Sequence, residues 1–207
     1  MRHILFNSSV HEYSVAILTK DAALNSSEMQ THYVNQLNKE GIDDVIAYGL
    51  HHKGAKVPAA MVKDCLAELM PELRAVGVKH IYVCDGTYFK KLTGKQKTAE
   101  HYGYSLPCVI KGYEDMTVTI GGNHKAIYAN DSMVDTIKLT LKALSCTATG
   151  KEITIGKDVI RTAEYLTDVE VVKQALAKLH QYPTLTCDIE AFSLSFPEAG
   201  IATFGFA

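Results

Sequence analysis

The chain has no tryptophan, three arginines among its 21 basic residues, and no apolar run of the roughly 18 residues that a membrane helix takes. Its N-terminus, MRHILFNSSVHEYS, lacks the apolar core and cleavage site of a secretory signal, so the expected compartment is the cytosol. The five cysteines, Cys65, Cys84, Cys108, Cys146 and Cys187, never stand as a C-x-x-C pair, which removes a zinc site and a disulfide framework from consideration. A net charge of -2 gives no bulk attraction for polyanions, and any nucleic-acid contact must come from a local patch. Internal repeats and low-complexity tracts are absent. What is present is ordinary globular material, 47% hydrophobic and 21% charged, which excludes an extended disordered protein.

Short β-rich runs alternate with helical patterns over the first 145 residues, the signature of an α/β sandwich on a largely parallel sheet. The candidate strands are His3 to Phe6, Val15 to Thr19, Asp44 to Tyr48, His80 to Cys84 and Thr117 to Ile120. Asn25 and Glu28 form a capping box for a helix whose Met29, Tyr33, Val34 and Leu37 share one face. A second helix opens at Pro58, and a third runs from about Ser132 to Leu144. The Thr- and Gly-containing stretch Ser145 to Gly156 has no apolar period and reads as a boundary. The expected division is an α/β domain over 1–147, a linker over 148–156 and a second segment over 157–207. In that segment Thr167 and Glu170 read as another capping box, followed by strands Thr184 to Ile189 and Gly200 to Phe206.

The segment PTLTCDIEAFSLSFPEAGIATFGFA carries the sharpest chemical signal. Strand alternation puts Asp188 and Glu190 on one face, about 7 Å apart, a spacing at which two carboxylates can share hard divalent cations for phosphodiester hydrolysis. A capped helix, a Pro-containing turn, an apolar strand with D-I-E, the tail A-F-S-L and another apolar strand together resemble the opening of the 3′–5′ proofreading exonuclease domain of family A DNA polymerases. The resemblance spans about Lys157 to Ala207. It implies a partial RNase H-like exonuclease segment in which Asp188 and Glu190 are catalytic carboxylates binding Mg²⁺ or Mn²⁺. The later exonuclease motifs and the polymerase palm have no counterpart in these residues. The expectation is the N-terminal part of a bacteriophage replicative DNA polymerase, acting in the cytoplasm of an infected bacterium.

Within Glu72 to Leu144, the strand KHIYVCDG, the turn at His101 to Gly103 and GGNHKAIYANDS before a helix resemble the second half of the uracil-DNA glycosylase superfamily. That resemblance implies a three-layer α/β/α domain whose closing loop supplies a histidine to the anionic uracil, with neighbouring residues entering the DNA minor groove. His124 and Lys125 stand at those positions. The loop after the first strand, Asn7 to Glu12, holds no water-activating motif, and Lys125 replaces the usual proline. The reading is therefore a domain inactive as a glycosylase that holds or guides DNA, or a replisome protein, beside the proofreading segment. An active glycosylase module and an interaction platform without DNA affinity are the alternatives, and His124 reads equally as a packing residue.

The run Phe89 to Lys97 places Lys90, Lys91, Lys95 and Lys97 together, with Tyr88, Phe89, Tyr102 and Tyr104 nearby. Such lysines contact phosphates and such aromatics stack on bases, or they are a solvated loop beside a core.

Overall fold

The computed structural model describes residues 1–51, 57–151, 166–191 and 201–206. Two compact units divide between Ile153 and Thr154. The first is an α/β fold with a mixed sheet of β1 (His3–Leu5), β2 (Val15–Lys20), β3 (Val45–Leu50), β4 (His80–Val83), β5 (Ser105–Pro107) and β6 (Thr117–Ile120), in the order β1-β3-β2-β4-β6-β5. The inner four strands are parallel, and β1 and β5 pair antiparallel at the two edges. Sequence reading missed β5: it is three residues long and ends in proline, which a sheet tolerates at an edge.

Strand alternation sorts the core. Ala16 and Leu18, Ile46 and Tyr48, Ile81 and Val83, and Val118 and Ile120 face α3 (Ala59–Ala75) and α4 (Gly86–Thr93). Val15, Ile17, Val45, Ala47, Tyr82 and Cys84 face the other side, against the helical segment 26–39 and α5 (Met133–Thr149). Both faces of a parallel sheet must be covered, which is why its strands read as nearly continuous apolar runs.

The 26–39 segment is not one regular helix. It passes from α1 (Ser26–Met29) through a π-helical turn, Gln30–Val34, into α2 (Asn35–Lys39). The capping box at its start is half realised: Asn25 Oδ1 accepts from the Glu28 amide at 3.1 Å, but the Glu28 carboxylate turns to Lys125 and His124.

The expected break at Ser145 is instead the last turn and a half of α5. Ser145, Thr147 and Thr149 donate their hydroxyls to the carbonyls of Leu141, Ala143 and Ser145, four residues back, so these polar side chains satisfy themselves inside the helix. Gly150, at φ 66°, then ends it in the left-handed conformation that glycine adopts without strain. Residues 152–156 of the expected linker lie outside the described residues.

In the second unit, α6 (Val169–Leu179) is capped by Asp168, whose carboxylate accepts from the amides of Glu170 and Val171 at 3.0 Å. The cap is thus one residue later than Thr167, as a carboxylate complements the positive helix end better than a hydroxyl. β7 (Cys187–Ala191) pairs antiparallel with β8 (Ile201–Phe206), with a register shift between Glu190 and Ala191.

Candidate functional site

The chain leaves β2 toward α1 on one face of the sheet and leaves β4 toward α4 on the other, so the carboxyl ends of β2 and β4 flank a topological switch point, where open α/β sheets place ligands. The α4 N-terminus there is already occupied: Asp85 Oδ1 accepts from the amides of Thr87 and Tyr88 at 2.8 and 3.2 Å, the donors that would otherwise cradle an anion. Beside it, the loop after β6 runs through Gly121, Gly122 and Asn123 into a 3₁₀ turn, His124–Tyr128.

The two glycines are sterically required. A Cβ on Gly121 would fall 2.1 Å from Tyr82 Cζ, and one on Gly122 would fall 2.5 Å from Met133 Sδ. This close approach drops His124 into the interior, where its side chain is 1% exposed. Tyr33, brought round by the π-helical turn, lies against it edge-on, with Oη 3.2 Å from Nδ1, and receives the His124 backbone N–H at 2.8 Å. The same hydroxyl lies 2.9 Å from the Gly122 carbonyl. On the other side Nε2 is 3.3 Å from Glu28 Oε2, and the His32 ring stacks on the imidazole at 5.3 Å.

Tyr33 has one proton to give, to His124 Nδ1 or to the Gly122 carbonyl, so the cluster has two bonding patterns. With His124 neutral, Nε2–H donates to Glu28 and Nδ1 accepts from Tyr33. With His124 protonated, Nδ1–H donates to Tyr33 and the tyrosine proton goes to Gly122 O. Burial holds the His124 pKa below its ordinary value against the opposing pull of Glu28, favouring the neutral pattern. The Lys125 ammonium, 2.5 Å from Glu28 Oε1, is the main cause holding that carboxyl below its usual value. Burial pushes the Cys84 thiol up to about 12, so it stays protonated and is no nucleophile.

The predicted residues fall in separate places. His124 and Lys125 pack on the face covered by α1, α2 and α5, whereas α4 packs on the opposite face. Lys90 and Lys91 lie exposed in the last turn of α4, and the exposed Lys95 and Lys97 follow it, Lys97 being paired with Glu100 at 2.9 Å. Tyr88 and Phe89 are fully buried core residues, while Tyr104 is 59% exposed. Asp188 and Glu190 both lie in β7, opposite Gly205 and Thr203. Among the described residues no cluster of three histidine, cysteine or carboxylate side chains forms that would hold a metal ion. Among the described residues no helix is long and apolar enough to cross a membrane.

Sequence reading missed Tyr33, His32 and Glu28 as partners of His124, because a core stripe and a capping box accounted for them. The one available signal was three polar ring or acid groups, Glu28, His32 and Tyr33, within a six-residue span. It also missed Tyr128, 83% exposed at the end of the His124 turn. Neither a scan of protein-family models nor a search of curated proteins returns a match to this chain.

Proposed function

We propose that residues 1–153 are a DNA-holding unit, related to uracil-DNA glycosylases but without their chemistry, in a phage family A DNA polymerase. The observation that carries this reading is the 121–128 loop. It is braced from beneath by Tyr33, His124 and Glu28, and it presents to solvent Lys125, 42% exposed along its side chain, and Tyr128, 83% exposed. A ring held out on a rigid loop offers a stacking surface for an unpaired or partly unstacked base at little ordering cost. The order β3-β2-β4-β6, with the loop at its carboxyl end, fits the three-layer architecture that the resemblance implies.

Base excision needs a donor about 3 Å from the developing negative charge. The His124 ring is enclosed by Tyr33, Glu28 and His32 and offers no free nitrogen to an extruded base. The expected result is therefore no uracil release from single-stranded DNA. Efficient release, abolished by His124→Ala, would establish an active glycosylase instead.

The direct test is fluorescence titration of single- and double-stranded oligonucleotides at several salt concentrations. Affinity should fall as salt rises, and Tyr128→Ala should weaken single-strand binding by roughly 5- to 150-fold, the loss of one stacked base. Absence of binding at low salt overturns the reading.

For the second unit, we propose that Asp188 and Glu190 are the first carboxylates of a 3′–5′ exonuclease site, as the resemblance of this segment implies. In a polymerase carrying the remaining motifs, Asp188→Ala with Glu190→Ala should remove proofreading and spare nucleotide addition. An unchanged rate of 3′-end degradation would reduce the pair to solvated strand residues.

A further inference from the structure

We infer that a surface groove between α3, α4 and the 108–116 loop docks an acidic peptide segment of a partner protein, anchored by one large apolar side chain. This rests on observations on the opposite face of the sheet from the His124 loop and is independent of the DNA-holding reading.

The groove encloses about 370 Å³ and is walled by Leu66, Met70 and Pro71 of α3 with Val109, Ile110 and Tyr113 of the loop. Leu66 and Met70 are a nearly buried floor, whereas Val109 remains 55% exposed, so apolar wall faces water. The volume takes a Phe or Leu side chain with room for the backbone that carries it. The groove is partly open to solvent, so a small molecule in it would keep some of its surface wet, unlike the enclosure usual in small-ligand sites, whereas a chain laid across it extends beyond its mouth.

The walls are fixed before any partner arrives. Arg74, in the last turn of α3, donates to both carboxylate oxygens of Asp115 at 2.9 and 2.6 Å and to the Gly112 carbonyl at 2.8 Å. Its guanidinium also lies over the Tyr113 ring at 5.2 Å. From the α4 side, the Val109 amide donates to the Leu92 carbonyl at 2.8 Å. A groove held this way loses little freedom on binding.

Charge selects the occupant. Lys63 and Lys91 line the groove, no carboxylate does, and neither lysine has an ion-pair partner among the described residues. Pro71 has no N–H, so the carbonyl of Ala67, four residues earlier and also lining the groove, lacks its helical donor and can accept from a peptide amide. Cationic rim, apolar floor and an available acceptor together match an acidic peptide with an aromatic or aliphatic anchor. A nucleic-acid backbone would satisfy the lysines but leave the floor unfilled.

The probe is a fluorescein-labelled peptide of Asp and Glu around one Phe and one Leu, compared with the same peptide carrying Ala at those two positions. Anisotropy titration should give roughly micromolar binding of the first and at least tenfold weaker binding of the second. Lys63→Glu with Lys91→Glu should weaken binding at least tenfold, and Lys138→Glu on α5 should leave it unchanged. Ala67→Trp, at an exposed position, should fill the groove and abolish binding without altering charge, and a thermal melt checks that each variant is folded. Failure of the first peptide to bind at millimolar concentration overturns the proposal, as does equal binding of the alanine peptide. If the double lysine change spares peptide binding and weakens oligonucleotide binding instead, this face is a nucleic-acid surface and the proposal falls.

Discussion

On the face of the sheet covered by α3 and α4, the buried strand side chains are aliphatic or aromatic throughout, from Ala16 to Ile120. The face covered by α1, α2 and α5 buries Thr19, Thr119, Thr140 and His124 among its aliphatics, with Tyr82 Oη bonded to Thr140 Oγ1 at 2.8 Å and Tyr33 bonded to the His124 loop. A second chain of hydroxyls, Thr147 to Ser105 to Thr119, crosses the same side at 2.9 and 2.7 Å. Apolar burial is non-directional and tolerates volume-conserving change, whereas each buried polar group demands one partner in one place. The first face therefore supplies bulk stability, and the second fixes the position of a loop. Substitutions on the two faces should differ in kind as well as in size.

The largest effect is expected on the apolar face. Leu69 is fully buried in the middle of α3, and Leu69→Ala should destabilise by about 2–5 kcal/mol through lost transfer energy and the cavity left behind. Chemical denaturation would measure this. A loss below about 1 kcal/mol would mean that the face is loosely packed.

Tyr33→Phe keeps the ring and removes one oxygen, yet in the neutral pattern it strands the backbone N–H and the Nδ1 of His124 in the interior. The expected cost is about 1–3 kcal/mol. The same change should speed amide hydrogen exchange in the 122–128 loop while leaving α3 protected. If exchange rises equally on both faces, the hydroxyl is not a local brace.

Acid should expose the polar face before the apolar one. The His124 pKa is depressed below its ordinary 6.5 by burial, with Glu28 pulling it up and His32 and Lys125 pushing it down. Its neutral form is the one that the folded state prefers. Its contribution is complete above the unfolded value and is lost as pH falls through the folded one. Between about pH 8 and pH 5 the native protein should thus lose more melting temperature than His124→Gln does. His80, also depressed by burial, is present in both proteins and cancels. Glu28 shifts in the same direction, but its window lies below its ordinary 4.5. A constant gap between the two melting curves would show that His124 does not titrate differently on folding.

How much could be read beforehand divides along the same line. Five of the six strands and the three longest helical segments of the first unit were legible, because period-two and period-3.6 apolar patterns record burial, and the buried strand side chains of the apolar face are all aliphatic or aromatic. The polar face was not. Tyr33 counts as apolar in any periodicity, and Glu28 matches a capping box so well that its turn toward Lys125 leaves no trace in sequence. The π-helical turn that carries His32 and Tyr33 to the His124 ring has no compositional mark. The hydroxyl-rich end of α5 read as a loop because Ser and Thr favour loops unless they bond back to their own helix. His124 itself was singled out through the resemblance carried by GGNHKAIYANDS, and its burial followed from two glycine contacts that only a fold can show.

The smallest effect has the opposite sign and tests whether every polar group on that face is needed. Thr19 is fully buried at the carboxyl end of β2, and its Oγ1 meets no hydrogen-bond partner of normal geometry among the described residues. Only the Cys84 thiol, a weak hydrogen-bonding group, lies beside it. The desolvation of that hydroxyl is thus largely uncompensated, in contrast with Tyr33 and Thr140, whose hydroxyls are bonded. Thr19→Val has nearly the same shape, keeps the β-branch that suits a central strand, and exchanges the stranded oxygen for a methyl group. Stability should rise by about 0.5–1 kcal/mol, with the His124 pH dependence unchanged because Thr19 bonds to no member of that cluster. A loss of stability on this substitution would show that the oxygen has a partner in solution, such as a buried water shared with Cys84, and would add Thr19 to the network that fixes the loop.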